Sequence, residues 1–353
     1  MSVLFAILLF SLLIFIHELG HFIAAKLSGV QVNEFSMFMG PVLFQKQKGE
    51  TVYSIRCIPI GGFCAMEGED SDSENPRAFG KAAWWKRLII LIAGSGMNLI
   101  AGFLILILVF SPSRQFIEPV VSYIEEGCAL AGENGLQVGD RFLEVDGEKI
   151  YVQSDFSMIL SINGGDVHDL VVERNGEEIV LDNFLMEKRE FDNGDGTSSL
   201  RYGFSFSVVD ATLANKLDYA WKTGIDTVRT VRLSLQMLLT GKAGLQDVTG
   251  PVGIVQQISD VAETSEDALS AFLNVMYFGG FIAINLAVMN LLPIPALDGG
   301  RVVGLLLTTA AEKIFRRKRT LFGRRCEVYG NGYWPFRRQY RQGRRSFWCR
   351  YRS

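Results

Sequence analysis

Ile14-Phe15-Ile16-His17-Glu18-Leu19-Gly20-His21-Phe22-Ile23 sets two histidines and a carboxylate inside an otherwise apolar stretch running from Val3 to Ala25. Histidines four apart share one face of a helix, so both imidazoles can reach one metal ion. Glu18, beside them, can act as a base toward water. The whole chain has three histidines, which makes a chance match a poor explanation. The stretch is long enough to cross a bilayer, for which about 20 residues are needed. Ionisable groups inside such a span cost about 2.5–3.5 kcal/mol each on insertion scales and mark function by default. The plain alternative is a polar cluster packed between helices. A cleaved signal peptide fits poorly, because Met1-Ser2-Val3-Leu4 carries no basic residue and no small-x-small site follows at the right distance.

Two further stretches, Leu88 to Phe110 and about Ala271 to Leu292, are uncharged and equally long. With 48% hydrophobic residues and a mean hydropathy of +0.20, the 353-residue chain is not a simple soluble protein. Basic residues flank the spans at Lys26, at Lys81, Lys86 and Arg87, and at Lys313 and Arg316. By the positive-inside rule they put residues 26–87 in the cytoplasm and the acidic segment 113–270 outside.

Between the first two spans, residues 33–66 alternate apolar and polar in short runs, such as Val52-Tyr53-Ser54-Ile55-Arg56. Gly40-Pro41, Lys48-Gly49 and Gly61-Gly62 separate these runs. This predicts β-hairpins too short to span, which must be shielded or lie at the interface. Residues 115–210 read as a strand-rich module with turns at Gly127, Gly139-Asp140, Asp146-Gly147, Asn175-Gly176 and Asn193-Gly194. Residues 213–240 have helical apolar spacing and are expected along the membrane surface. The five cysteines are scattered without a C-x-x-C pair, so buried or half-buried free thiols are expected rather than disulfides or a thiolate metal site.

A catalytic zinc takes three protein ligands and keeps a position open. The third span ends in Asn290-Leu291-Leu292-Pro293-Ile294-Pro295-Ala296-Leu297-Asp298-Gly299-Gly300. Two prolines break the helix at membrane depth, and Asp298 sits just past the break, where a carboxylate can turn inward. A turn aspartate before Gly-Gly is the ordinary reading in a soluble chain. Beside an HExxH motif in a membrane protein, the ligand reading is favoured.

These motifs together resemble the site-2 proteases, in particular the bacterial branch with an extracytoplasmic PDZ domain. The likeness rests on the HExxH run, on Asn290 to Gly300, on Gly250-Pro251-Val252-Gly253-Ile254, on Gly61-Gly62-Phe63 and on Met66-Glu67-Gly68-Glu69, and covers about residues 1–318. It implies a zinc cofactor held by His17, His21 and Asp298, with Glu18 as general base and Asn290 holding the substrate strand or the developing oxyanion. Residues 35–66 would be the family's membrane-associated hairpin, which holds substrate in extended form. Gly135-Leu136-Gln137-Val138-Gly139-Asp140 resembles a PDZ turn, whose groove could add a peptide strand to its edge or only filter by size.

The expected fold is therefore membrane α+β: a transmembrane helical metalloprotease core, a membrane-associated β-hairpin and an inserted PDZ domain. The segments are 1–112 (two spans, HExxH and hairpin), 113–210 (PDZ domain), 211–270 (surface helical segment), 271–318 (third span with the Leu-Asp-Gly motif) and 319–353 (atypical tail). From Arg316 onward thirteen basic residues face one acidic residue, where the family has a fourth span. A shifted reading frame accounts for that change better than a basic interaction tail. The expected activity is hydrolysis of peptide bonds in or near transmembrane segments, in a multi-pass protein of the bacterial inner membrane. The resemblance implies transmembrane protein substrates such as anti-sigma factors or signal-peptide remnants, contact with membrane lipid, and no nucleic acid. The rivals are a non-catalytic membrane PDZ adaptor, which has no need of Glu18 and a ligand set, and a zinc sensor or carrier, which would want more polar sites than the Ser95 and Asn98 of the second span.

Overall fold

The computed structural model describes residues 2–192, 197–241, 244 and 267–315. Three helices are long and apolar enough to cross a membrane: α1 (Ser2–Ser28), α2 (Trp84–Phe110) and α5 (Ala268–Asn290). They are apolar around their whole circumference, as helices buried in lipid are. The buried positions on α2 include Gly94, Ser95, Asn98, Gly102 and Leu106, whereas Ile92, Leu99, Ile100, Leu104 and Leu108 are exposed. An open surface of that kind suits lipid and not water.

Small residues set the helix spacing, as they do where lipid leaves no hydrophobic drive between helices. A methyl group on Gly102 would come within 2.6 Å of Ile284 on α5, and one on Gly20 of α1 within 2.4 Å of the Ala93 carbonyl on α2.

Between α1 and α2 lie two long strands, β1 (Val32–Lys48) and β2 (Thr51–Met66), paired antiparallel. The expected succession of short hairpins is in fact one hairpin that bends. Its tight turn is at Gly49-Glu50, while Phe38 and Gly40 in β1 and Gly61 in β2 take positive φ inside the strands. The bends fold β2 around both sides of Glu34–Met37, so that Phe35 partners both Cys64 and Tyr53 and Ser36 both Phe63 and Ser54. The base of the hairpin is buried against α1 through Val32, Phe35, Cys64 and Met66. The far end leaves Val42, Leu43, Phe44, Ile55 and Ile58 exposed. Lys26 and Arg77 both pair with Glu50 and fasten the turn to the end of α1, holding that carboxyl down at about 2, with Arg77 the larger cause.

The 115–210 module has a sheet in the order β10-β3-β4-β6-β7, with β5 (Glu148–Lys149) pairing β4, and a separate hairpin of β8 (Arg189–Asp192) and β9 (Ser198–Arg201). The main strands are β3 (Gln115–Ile124), β4 (Arg141–Val145), β6 (Val167–Arg174), β7 (Glu177–Leu185) and β10 (Phe204–Asp210). Asp146-Gly147 and Asn175-Gly176 form the expected turns with consecutive positive φ, the geometry that suits a tight hairpin. Asn193-Gly194 lies outside the described residues. The core of Phe142, Phe156, Leu170 and Val172 is closed by α3 (Gln153–Asn163), a helix that the strand-rich reading did not single out. The third histidine, His168, is buried here 2.7 Å from Asp146. It takes no part in the HExxH cluster.

Helix α4 (Leu213–Thr240) matches the predicted helical segment. It does not lie free on a surface, because Ala220 packs with Leu106 of α2 and Ile284 of α5, and Trp221 stands edge-on to Phe103. Its link to the module is a buried charge cluster. Arg229 donates to the Lys149 carbonyl and to Asp226 and lies 2.9 Å from Asp155 on α3. Burial first, and the Asp155 charge second, raise Asp226 well above the ordinary carboxylate range against the pull of Arg229. The other groups facing it are the phenols of Tyr219 and Tyr277, and Tyr151 lies under the guanidinium.

A carboxyl whose folded value is raised contributes stability when protonated, and that stability fades as pH rises from the usual carboxylate range through the raised value. Thermal unfolding of the full chain in detergent should therefore show the module docked more stably at pH 5 than at pH 8. The expected difference is on the order of 1–2 kcal/mol, one pKa unit being worth about 1.4. Asp226→Asn should flatten this dependence.

Cys64 and Cys128 are buried and free, as expected, but Cys57 is free and exposed. Helix α6 (Asp298–Phe315) follows the proline break and was not foreseen as a separate element. The Gly250–Ile254 motif and the basic tail from Arg316, with its frame-shift reading, lie outside the described residues.

Candidate metal centre

Helix α1 carries His17 and His21 one turn apart, both buried and both facing α2. Their Nε2 atoms are 3.1 Å apart. Asp298, the first residue of α6, brings its Oδ2 to 3.0 Å from His17 Nε2 and 3.2 Å from His21 Nε2. The three ligand atoms lie within 4.8 Å of one another, the sole such group of His, Cys, Asp and Glu found among the described residues. That Oδ2 is buried without a hydrogen bond of its own. A carboxylate oxygen and two imidazole nitrogens converging in a buried site are the donor set that zinc prefers, and three ligands leave a fourth position open. The residues fit the metal.

The groups around them orient the rings. His21 Nδ1 is 2.8 Å from the Ile90 carbonyl of α2, so this nitrogen carries the proton and donates, leaving Nε2 a free lone pair. Asn290, at the end of α5, places its side-chain amide 3.5 Å from His17 Nδ1. Glu18 lies against β2, where its Oε2 accepts a hydrogen bond from the Cys64 backbone N–H at 3.0 Å. Burial pushes the Cys64 thiol up, so it stays neutral beside that carboxylate.

Two close approaches that sequence reasoning missed make room for the cluster. A Cβ on Gly94 of α2 would stand 2.4 Å from His21 Nε2 and 2.8 Å from His17 Nε2. A Cβ on Gly299 would meet the Leu291 carbonyl at 2.2 Å, and one on Gly300 the Ile294 carbonyl at 2.2 Å. These two glycines let α6 begin directly against the broken end of α5, which is what turns Asp298 inward. The Gly-Gly pair was visible in the sequence, but the helix that it starts was hidden behind the two prolines. For Gly94 no local pattern distinguished it from Gly96 or Gly102.

The model of Peptidase family M50 matches residues 5–326. The chain belongs to peptidase family M50. Among its M50 relatives, a protein of Clostridium acetobutylicum with a provisional zinc-metalloprotease name is 37% identical over 304 residues, covering 85% of each chain. A similarly named protein of Fusobacterium nucleatum is 34% identical over 326 residues, covering 90% of this chain and 91% of its own. The regulator of sigma-W protease RasP of Bacillus subtilis is 26% identical over 406 residues, covering 91% and 93%. The M50 chain described here is accordingly a zinc metalloprotease of the site-2 type, and its three apolar helices make it a membrane protein.

Proposed function

We propose that this protease cuts peptide bonds within or next to transmembrane segments of other proteins, with zinc held by His17, His21 and Asp298. The observation that carries the reading is the convergence of those three ligand atoms between apolar helices, with Glu18 one residue from His17. Bound zinc supplies Lewis acidity to the scissile carbonyl and lowers the pKa of the attacking water. Glu18 would serve as the general base toward the attacking water and would return the proton to the leaving amine. The Cys64 N–H holds its carboxylate beside β2. Asn290 is close enough to His17 to orient it, and its amide would also be available to hold a substrate carbonyl.

Gly62–Cys64 runs past Glu18 and has a strand partner on β1 alone, which leaves one edge for an extended substrate. The 115–210 module is read as a PDZ domain, with the edge strand β10 beside α3 as its peptide-binding edge. The protein is placed in the bacterial inner membrane, with anti-sigma factors or signal-peptide remnants as its substrate class. The relative named for sigma-W regulation supports the first of these. A non-catalytic adaptor would need neither Glu18 nor three converging ligands.

The test is cleavage of reconstituted single-span proteins by the wild type and by Glu18→Gln. Loss of the base should lower kcat by about 10²–10⁴-fold while the zinc content stays near one per chain. Equal cleavage by Glu18→Gln would sink the assignment. Orientation is tested by impermeant thiol labelling of intact cells, with the native cysteines changed to serine. An engineered cysteine at Glu177, which is exposed in the module, should react, and one at Glu74, before α2, should not. The reverse pattern would invert the topology.

A further inference from the structure

We propose that Arg301 and Glu69 form a positioning pair that fixes the Asp298 carboxylate against the two histidines. The inference rests on the reading of Asp298 as a zinc ligand. Asp298 enters the site from α6, a helix that follows the broken segment after α5 and packs along α2, yet it has to meet α1 to within tenths of an ångström. Gly299 and Gly300 settle the start of α6 against the Leu291 and Ile294 carbonyls, which ties it to α5. Nothing in that contact refers to α1.

Arg301 adds a direct tie to the exit of α1. It lies three residues after Asp298 and so projects from nearly the same face, one turn on. Its guanidinium pairs with Glu69, and its Nη2 is 3.7 Å from Asp70. Glu69 lies three residues past the end of β2, the strand whose Cys64 N–H holds Glu18. The loop that carries Glu69 is itself fixed to the exit of α1. The Glu67 N–H donates to the Gln31 carbonyl at 2.9 Å, the Gln31 N–H to the Arg77 carbonyl at 3.0 Å, and Asn33 Nδ2 to the Glu67 carboxylate at 2.7 Å.

A continuous set of short contacts therefore runs from the end of the histidine helix, through this loop and the ion pair, to the residue that starts α6. The Glu69 side chain is 14% exposed, whereas that of Arg301 is 48% exposed. A carboxylate so desolvated needs its cation, so the arginine is held although its own surface is half open. The Met66-Glu67-Gly68-Glu69 run, otherwise without a role in the site, acquires one here.

Zinc affinity of the full-length protein in detergent, measured by competition with a chromophoric chelator, tests the pair with a readout separate from turnover. Glu69→Gln and Arg301→Gln should each weaken zinc binding about 10–100-fold, the range for residues that orient metal ligands. The double variant should be no worse than either single one, and Arg301→Lys should recover most of the loss. Among variants kcat should fall with KM unchanged, and the zinc-depleted proteins should melt within a few degrees of the wild type. Wild-type zinc affinity in Arg301→Gln, additive losses in the double variant, or a large drop in melting of the zinc-depleted variants would each overturn the proposal. Failure of the underlying site reading is seen separately, as unchanged zinc affinity in Asp298→Ala.

Discussion

Replacing Gly94 with alanine should strip zinc from the protein and abolish cleavage, although Gly94 is not a ligand and alanine is the mildest change available. The added methyl group would stand 2.4 Å from His21 Nε2 and 2.8 Å from His17 Nε2, distances that no real carbon tolerates. The rings cannot retreat. His21 is tied through Nδ1 to Ile90 on the same helix α2, and α1 is pressed onto that helix at Gly20. Relief has to come from moving α1 and α2 apart, at about 1–3 kcal/mol for overpacking of this kind, and the imidazoles would then no longer converge with Asp298. Zinc affinity should drop on the order of 100-fold or more. Chelator competition and cleavage checks this, with Gly96→Ala as control, because a methyl group there meets nothing. Equal zinc affinity in Gly94→Ala would mean that the metal sits elsewhere.

Asp298→Ala should be as damaging by a different route. It removes the one anionic donor facing two neutral imidazoles, and a two-ligand remainder does not hold zinc at a catalytic site. Both zinc retention and cleavage should fall below detection at micromolar metal, with α6 intact by circular dichroism. Asp298→Asn separates charge from shape: it keeps the volume but should recover little affinity. Full activity in Asp298→Ala would remove it from the ligand set.

How much of this was legible beforehand differs from element to element. The HELGH run was readable because metal ligation imposes a fixed spacing on a helix. The spans were readable because lipid demands an apolar run of fixed length. Asp298 was suggested by its place after two prolines, yet the helix that it begins was not, since the apolar stretch was read as ending near Leu292 and no separate element was assigned beyond the break. The hairpin's strands were anticipated as separate short ones. Their union into two bent strands depends on the positive φ of Phe38, a residue that gives no local warning of it. The pairs Gly20 with Ala93, Gly94 with His21 and Arg301 with Glu69 could not be read at all. They join positions far apart in the chain, and one sequence holds no record of which distant residues meet. The same holds for the Asp155, Asp226 and Arg229 cluster, where the charges were visible and their burial was not.

The three proposed ligands lie far apart in the chain, with Asp298 some 280 residues after His17 and His21. A ribosome making this protein exposes the histidine helix well before Asp298. Until Asp298 is made, then, the growing polypeptide holds only the two imidazoles and lacks the full proposed ligand set. Proteolytic competence arrives only when α6 folds back against α1, so the order of translation itself acts as a safeguard that a cluster confined to one segment would lack.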